Sequence, residues 1–342
     1  MSTVNKGLFD NVVQHRHHLM ATENWASGLI AGPFRDAQLA IRGILRGSFI
    51  PGAFSAAALR GIQDELEELI EQTYGEALVL LDGTLRDVTL AENEAAGGIL
   101  LDELPEDVRE TIIFDRLRPD QIDKLIHAPF HGHRLEDRVR SAKIAAKLTV
   151  VQALETAAIA GIGVSAAGSA LRRAVGGAVY PTAARMTRTE IQRVANVAML
   201  AMFAQNSHLL GGIQYVSALD DSTCPRCVAN NMDTYYFAPW RSPTVDEAPE
   251  IPAHPNCRCA WSPFSDQGEP MPRTYYEAWV AGQTEKVQKE ILGLPRWGSW
   301  VAGKLVLRDV AHAVPYKRTL RPALLAHIGG MGRRRRNNIQ TP

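Results

Sequence analysis

Cysteine is nearly missing from this 342-residue chain, and all four cysteines lie between positions 224 and 259. Scattered disulfides are thereby excluded, because no cysteine outside that window is available to pair. Long apolar runs are missing too. The least polar stretch, 157–171, is 15 residues long and broken by glycines, short of the roughly 20 residues that cross a bilayer. The first ten residues lack the apolar core of a secretory signal. There is no Gly-rich phosphate loop, no G-x-S-x-G elbow and no nucleophile–base signature. These absences lead us to expect a soluble, non-enzymatic protein made in a reducing cytoplasm, with no membrane partner.

The composition is that of a globular chain, 46% hydrophobic and 22% charged, with room for two or three domains. Net charge is zero but unevenly spread. Between Asp64 and Glu110 there are 15 acidic residues against two arginines, and from Arg296 onward ten Lys or Arg against the single Asp309. Such asymmetry points to contacts with other molecules: an acidic face for a basic partner, a basic tail for acid or nucleic acid. Arg333, Arg334, Arg335 and Arg336 are the candidate nucleic-acid contacts, with a flexible tether as the plainer reading.

Chemistry concentrates in the cysteine window. Cys224 and Cys227 form a C-P-R-C knuckle, and His254, Cys257 and Cys259 an H-P-N-C-R-C run. A C-x-x-C turn brings two sulfurs onto one cation, and a second cluster about 30 residues on can close a tetrahedral Zn2+ site. The spacing leaves open which four of the five donors bind. A structural zinc staple is the leading reading, ahead of one or two disulfides and of a catalytic metal. The surplus of thiolates favours a closed site, and the H-x-E general base of the zinc deaminases is missing. His131 and His133 form a second tempting pair, but two surface histidines with no third ligand nearby are the simpler reading. Asp220 and Asp221 read as turn and cap residues rather than catalytic carboxylates.

Periodicity predicts a mainly α (α+β) chain: long helices in the N-terminal two-thirds, a small zinc-stapled loop and strand region, C-terminal helices and a flexible basic tail. Phe34–Leu45 carries a helical stripe, Pro51-Gly52 breaks the chain, and Ser55 is placed to cap a second helix reaching about Thr73. On that helix Asp64, Glu65, Glu67, Glu68 and Glu71 oppose Ile62, Leu66, Leu69 and Ile70, which reads first as a solvated face. Short strands are expected in Val79–Leu90 around Asp82-Gly83. Two short helices are expected between Leu104 and Leu125, separated at Arg118-Pro119. A long helix over Leu135–Ala160 carries Ile144, Leu148, Val151 and Ala158 on one face, and Gly161 and Gly163 stop it. Ser165 restarts a short helix that ends at Gly176-Gly177. Pro181–Leu210 forms a further helix, ended by Gly211-Gly212, in which Thr187-Arg-Thr-Glu190 is either an internal capping box or simply part of the helix. A strand follows over Ile213–Leu219, then loops and short strands over Asn230–Pro263. Tyr275–Leu292 is read as a helix burying Tyr276, Trp279, Val287 and Ile291 and capped by Gly293. A helical turn at Trp297–Gly303 and a Leu305–Leu307 segment come next.

The order of these motifs resembles the minor head proteins of tailed bacteriophages, the Mu F-like head-morphogenesis family. The likeness is carried by Arg188-Thr-Glu190 in a long helix, A-L-D-D-S-T-C-P-R-C (Ala218–Cys227) and I-P-A-H-P-N-C-R-C (Ile251–Cys259). Y-Y-E-A-W-V-A-G-Q, K-E-I-L-G-L-P-R and W-V-A-G-K-L-V-L then follow over Tyr275–Leu307. It covers about residues 130–310 and is most specific in the cysteine–histidine block. One departure is Asn230-Asn231-Met232-Asp233, where a glycine is usual; asparagine also enters the left-handed region, so the turn is expected to survive.

The resemblance implies a virion component of the phage head, present in few copies and assembled in the host cytoplasm near the portal vertex. Its implied partners are the portal protein, the major capsid or scaffolding protein, and packaged DNA. We accordingly divide the chain into a helical docking region (1–130), a long-helix region (131–212), a zinc knuckle (213–265), a C-terminal helical region (266–330) and a disordered basic tail (331–342). The alternative is a nuclease or toxin-like effector delivered with the phage DNA, since some relatives carry C-terminal toxin domains. Few residues follow the knuckle to hold one.

Overall fold

Apolar residues recurring every three or four positions write the two longest elements. In α1 (Thr3–Gly47) the buried series is Leu8, Val12, Leu19, Ala26, Ile30, Phe34, Ala37, Ile41 and Leu45, one continuous helical stripe. The helix runs through Pro33 rather than starting at Phe34, because the stripe is uninterrupted on both sides of the proline. In α2 (Ala56–Glu103) the series is Ile62, Leu66, Thr73, Ala77, Leu81, Leu85 and Val88. The expected strands in Val79–Leu90 are absent: that stretch is helix. Its Val and Leu content suits a strand, but Leu81, Leu85 and Val88 fall on one helical face, and burial of that face overrides local propensity.

The structure is a computed structural model that describes residues 3–47, 56–159, 169–171, 173, 180–218, 223–224, 227, 230–272, 275–292 and 294–304. Pro51-Gly52, Ser55, Gly161, Gly163, Ser165, Gly176-Gly177, Asp220, Asp221, Gly293, Leu305–Leu307 and Arg333–Arg336 lie outside them. The architecture is mainly α with a small sheet, and the long helices lie in the N-terminal part. After α2 come α3 (Glu106–Arg109), α4 (Pro119–Ile126), α5 (Leu135–Ile159) and α6 (Tyr180–Gln205). Strands β1 (Leu210–Val216), β2 (Thr234–Tyr236) and β3 (Ala260–Ser265) follow, then α7 (Tyr275–Ala281), α8 (Glu285–Leu292) and α9 (Leu294–Val301).

The chain forms two compact units, each assembled from separate stretches: Met1–Ala21, Val88–Pro119 and Gln192–Pro342 in one, Thr22–Asp87 and Asp120–Ile191 in the other. The second unit is helical. Phe34 of α1 meets Tyr74 of α2 edge-to-face at 5.1 Å, and the Tyr74 hydroxyl donates to the Ala142 carbonyl of α5. Lys143 and Lys147 of α5 pair with Glu71 of α2, and Lys147 also reaches Glu67. Part of the acidic face is thus neutralised internally. Helix α5 buries Leu135, Val139, Ala146, Val150 and Leu154 and exposes Ile144 and Leu148. The stripe expected to be buried is therefore the opposite face, with Val151 half-buried; the side chain of Ala158 lies outside the described residues. Arg138 of α5 pairs at 2.6 Å with the buried Glu190 of α6 and donates to the carbonyls of Phe130 and His133. It thereby holds the tight turn in which His131 and Gly132 have φ of 47° and 88°.

The first unit contains the sheet, in the order β2-β1-β3 and antiparallel throughout. Gly211 and Gly212 lie inside β1 rather than ending α6. A Cβ on Gly212 would stand 2.0 Å from the Tyr235 carbonyl oxygen and 2.9 Å from the Phe264 ring, so close approach fixes glycine there. Helix α6 stops at Gln205, and the Asn206 side chain takes over by accepting from the Ile113 N–H at 2.7 Å and donating to its carbonyl at 3.0 Å. Thr187 is helical within α6, its hydroxyl bonded back to the Ala183 carbonyl, so it is no internal cap. Below the sheet Phe9, Val13, Val216, Met232, Met271, Val280 and Leu292 form a core, with Tyr275, Trp279, Val287, Trp297 and Trp300 packed against it. The stretch expected as one helix over Tyr275–Leu292 is two, α7 and α8, parted where Gly282 ends α7 by donating to the Ala278 and Trp279 carbonyls. The side chains of Tyr276 and Ile291 lie outside the described residues. At the end of α9, Gly303 (φ 68°) donates to the Trp300 carbonyl and Lys304 to that of Ser299, the Schellman pattern that satisfies terminal carbonyls.

The outer edge of β3 is closed residue by residue. Trp261 N–H donates to the Asn196 side chain at 3.2 Å, Pro263 has no N–H, and Ser265 N–H donates to the Asn5 side chain at 2.7 Å. The same two carboxamides donate to the carbonyls of Cys259 and Glu269. Gln214 holds Met271 in the same way, at 2.8 and 2.9 Å. These buried amides each satisfy a donor and an acceptor of main chain that has no ladder partner.

Candidate metal centre

The five donors predicted from spacing converge on the end of β1 and the approach to β3. The H-P-N-C sequence explains half of this locally. Cys257 N–H donates to the His254 carbonyl at 3.1 Å, and Asn256 has φ 59°. Proline second and a left-handed residue third is the pattern of a type II turn, and it places His254 and Cys257 at the two ends. In the other half, Cys227 N–H donates to the Cys224 sulfur at 3.5 Å, which closes the C-x-x-C knuckle. The stretch after it turns at Asn230–Asp233, with Asp233 N–H on the Asn230 carbonyl. There the left-handed residue is Met232, φ 65°, and neither asparagine. Packing of Met232 into the core under the sheet holds it in that conformation.

Cys227 Sγ lies 3.7 Å from Cys224 Sγ, 3.7 Å from Cys257 Sγ and 3.1 Å from His254 Nε2. Two thiolates bound tetrahedrally at about 2.3 Å stand about 3.8 Å apart, so the sulfur separations fit edges of a zinc-type tetrahedron. A disulfide needs about 2.05 Å, and all four cysteines are free thiols. The donors fall into two triplets, Cys224–Cys227–His254 and Cys227–Cys257–Cys259, each with its ligand atoms within 4.8 Å of one another. The cluster can therefore hold a metal ion. His254 Nδ1 sits 2.8 Å from the Pro255 carbonyl. That contact fixes the proton on Nδ1 and leaves the Nε2 lone pair facing the sulfurs.

No family model, curated protein or solved structure matches this chain.

The surroundings complete the donor set. Cys227, Cys257 and Cys259 are buried, while Cys224 and His254 are half-exposed, so one side of the site opens outward. Tyr215 of β1, fully buried, points its hydroxyl at Cys227 Sγ across 3.6 Å. Burial pushes the Tyr215 phenol well above its ordinary range, and charge on Cys259 and Cys257 adds to this, so it stays a hydrogen-bond donor. Among the thiols, hydrogen bonds from Cys227 and Cys259 pull Cys257 down. Cys227 is pushed up by its bond to Cys257, and Cys259 by burial. Ion binding to this buried thiol cluster must therefore displace protons. Asn196, whose importance spacing does not reveal, fixes the Cys259 carbonyl from α6 at 3.1 Å. His131 and His133 join no metal-ligating group among the described residues, and no helix there is long and apolar enough to cross a membrane.

Proposed function

We propose that this chain is a structural, non-enzymatic minor head protein of a tailed phage, acting in head morphogenesis at or near the portal vertex. The observation that carries this reading is the motif order around the cysteine–histidine block. The clustering of its five donors at one sheet supports it, since that is what a fold-stabilising block would do. On this reading the ion is Zn2+. A thiolate-rich donor set with one imidazole selects it over the oxygen-seeking Mg2+ and Ca2+. Three buried sulfurs and a donor surplus suit a closed structural site, which would pin loops too short to form a core of their own. The docking partners are the portal protein and the major capsid or scaffolding protein, with packaged DNA a further partner through Arg333–Arg336. Co-expression with a cognate portal and capsid set tests it: the chain should co-purify with portal or procapsid, and failure to associate with either would refute the assignment. The alternative, a nuclease or toxin-like effector, rests on the basic tail. DNA cleavage by the purified protein that is lost in a folded His254→Ala variant would favour it.

A further inference from the structure

The metal reading leaves five donors for a four-coordinate ion, and the geometry ranks them. Cys227 belongs to both triplets, so its sulfur lies within 4.8 Å of each of the other four ligand atoms. The outer pairs, Cys224 with His254 and Cys257 with Cys259, meet in no further triplet among the described residues. A tetrahedral set that omits Cys227 would have to close those two pairs directly onto each other. Every four-donor set draws on both pairs, but with Cys227 in it only two cross-pair distances have to close, against four without it. Cys227 is also firmly anchored: it is 2% exposed, the Tyr215 hydroxyl bonds its sulfur at 3.6 Å, and its N–H is tied to Cys224.

We infer that Cys227 is the obligatory pivot of the site and that the four outer donors are mutually replaceable, with one always in reserve. Loss of any outer donor leaves four ligands, and the reserve donor swings in. Loss of Cys227 leaves two pairs on opposite sides of a gap, each able to grip an ion only weakly. The half-exposed Cys224 and His254 can move most freely, so exchange centres on them. The surplus that blurs the ligand set in the sequence then gives the staple a tolerance that a strict four-ligand site lacks.

This inference rests on the metal reading, and the experiment separates the two. The full-length protein is loaded with Co2+ as a spectroscopic probe and with Zn2+ in competition against a chromophoric chelator. Five single variants are compared: Cys224→Ser, Cys227→Ser, His254→Ala, Cys257→Ser and Cys259→Ser. Wild type should bind one ion and give tetrahedral Co2+ absorption; no binding at all would sink the metal reading itself. Each outer variant should keep the tetrahedral spectrum and lose no more than about tenfold in affinity. Cys227→Ser should lose on the order of 100-fold or more, beyond the range of outer-shell changes. Circular dichroism in excess Zn2+ reports folding, and loss of both fold and metal in that variant alone is the same result. Two outcomes overturn the pivot: wild-type affinity in Cys227→Ser, or abolition of binding by any single outer substitution.

Discussion

Replacing Asn196 by alanine tests how α6 holds the knuckle strand. The side chain is 3% exposed. It donates to the Cys259 carbonyl at 3.1 Å and accepts from the Trp261 N–H at 3.2 Å. Both are main-chain groups on the outer side of β3, where no strand can replace the amide. Each buried group left unpaired costs about 1–3 kcal/mol, so Asn196→Ala should destabilise the first unit by about 2–5 kcal/mol. The Cys259 carbonyl lies one bond from a ligand residue's Cα, so metal affinity should fall as well. Urea denaturation followed by tryptophan fluorescence, run with and without Zn2+, reads both effects. Gln72→Ala is the control: its amide bonds only the exposed Glu76, and the change should stay within about 0.5 kcal/mol. A loss below about 1 kcal/mol for Asn196→Ala, with unchanged zinc affinity, would refute the claim that this amide completes the strand.

Removing the metal with a strong chelator should lower the thermal midpoint of the first unit. An ion present at 1,000 times its Kd contributes about 4 kcal/mol; a chelator-insensitive melt would contradict a stapling role. His15 donates to Glu92 at 2.8 Å, and that hydrogen bond raises its pKa against the opposing effect of burial. The contribution is therefore full below the unfolded value of about 6.5 and is lost as pH rises through the folded value. Stability measured from pH 6 to 9 should fall, and His15→Gln should flatten that slope; an unchanged slope would count against the pair. Gly212→Ala should cost about 3 kcal/mol or more, because its Cβ meets the Tyr235 carbonyl at 2.0 Å and backbone must move. Gly83→Ala, in mid-helix with open space around it, should instead stabilise by about 0.5–1 kcal/mol. The two scored together by chemical denaturation test whether space or conformational freedom selects each glycine.

What could be read in the sequence was whatever depends on neighbours along the chain. The knuckle, the H-P-N-C turn, helices α4 to α6 and the Ile213–Val216 part of β1 all follow from local spacing and turn chemistry. The errors arose where two local readings compete and only tertiary packing decides. Val79–Leu90 satisfies strand composition and helix periodicity equally. Helix α5 offers two apolar stripes on opposite faces, and Tyr74 and Phe34 lie against the one carrying Ala146 and Val150. Asn5, Asn196, Asn206 and Gln214 were invisible for another reason: their partners are main-chain groups remote in sequence, which no spacing rule encodes.

The closed outer edge of β3 has a consequence for how this protein can be engaged. An incoming strand needs a row of N–H and C=O groups to copy, and here two amides and a proline leave no free N–H along that side. The opposite edge, β2, offers three residues. Strand addition at β3 is therefore disfavoured, both as a mode of docking and as a route to edge-to-edge aggregation. A partner that engages this side of the sheet must read side chains rather than main chain.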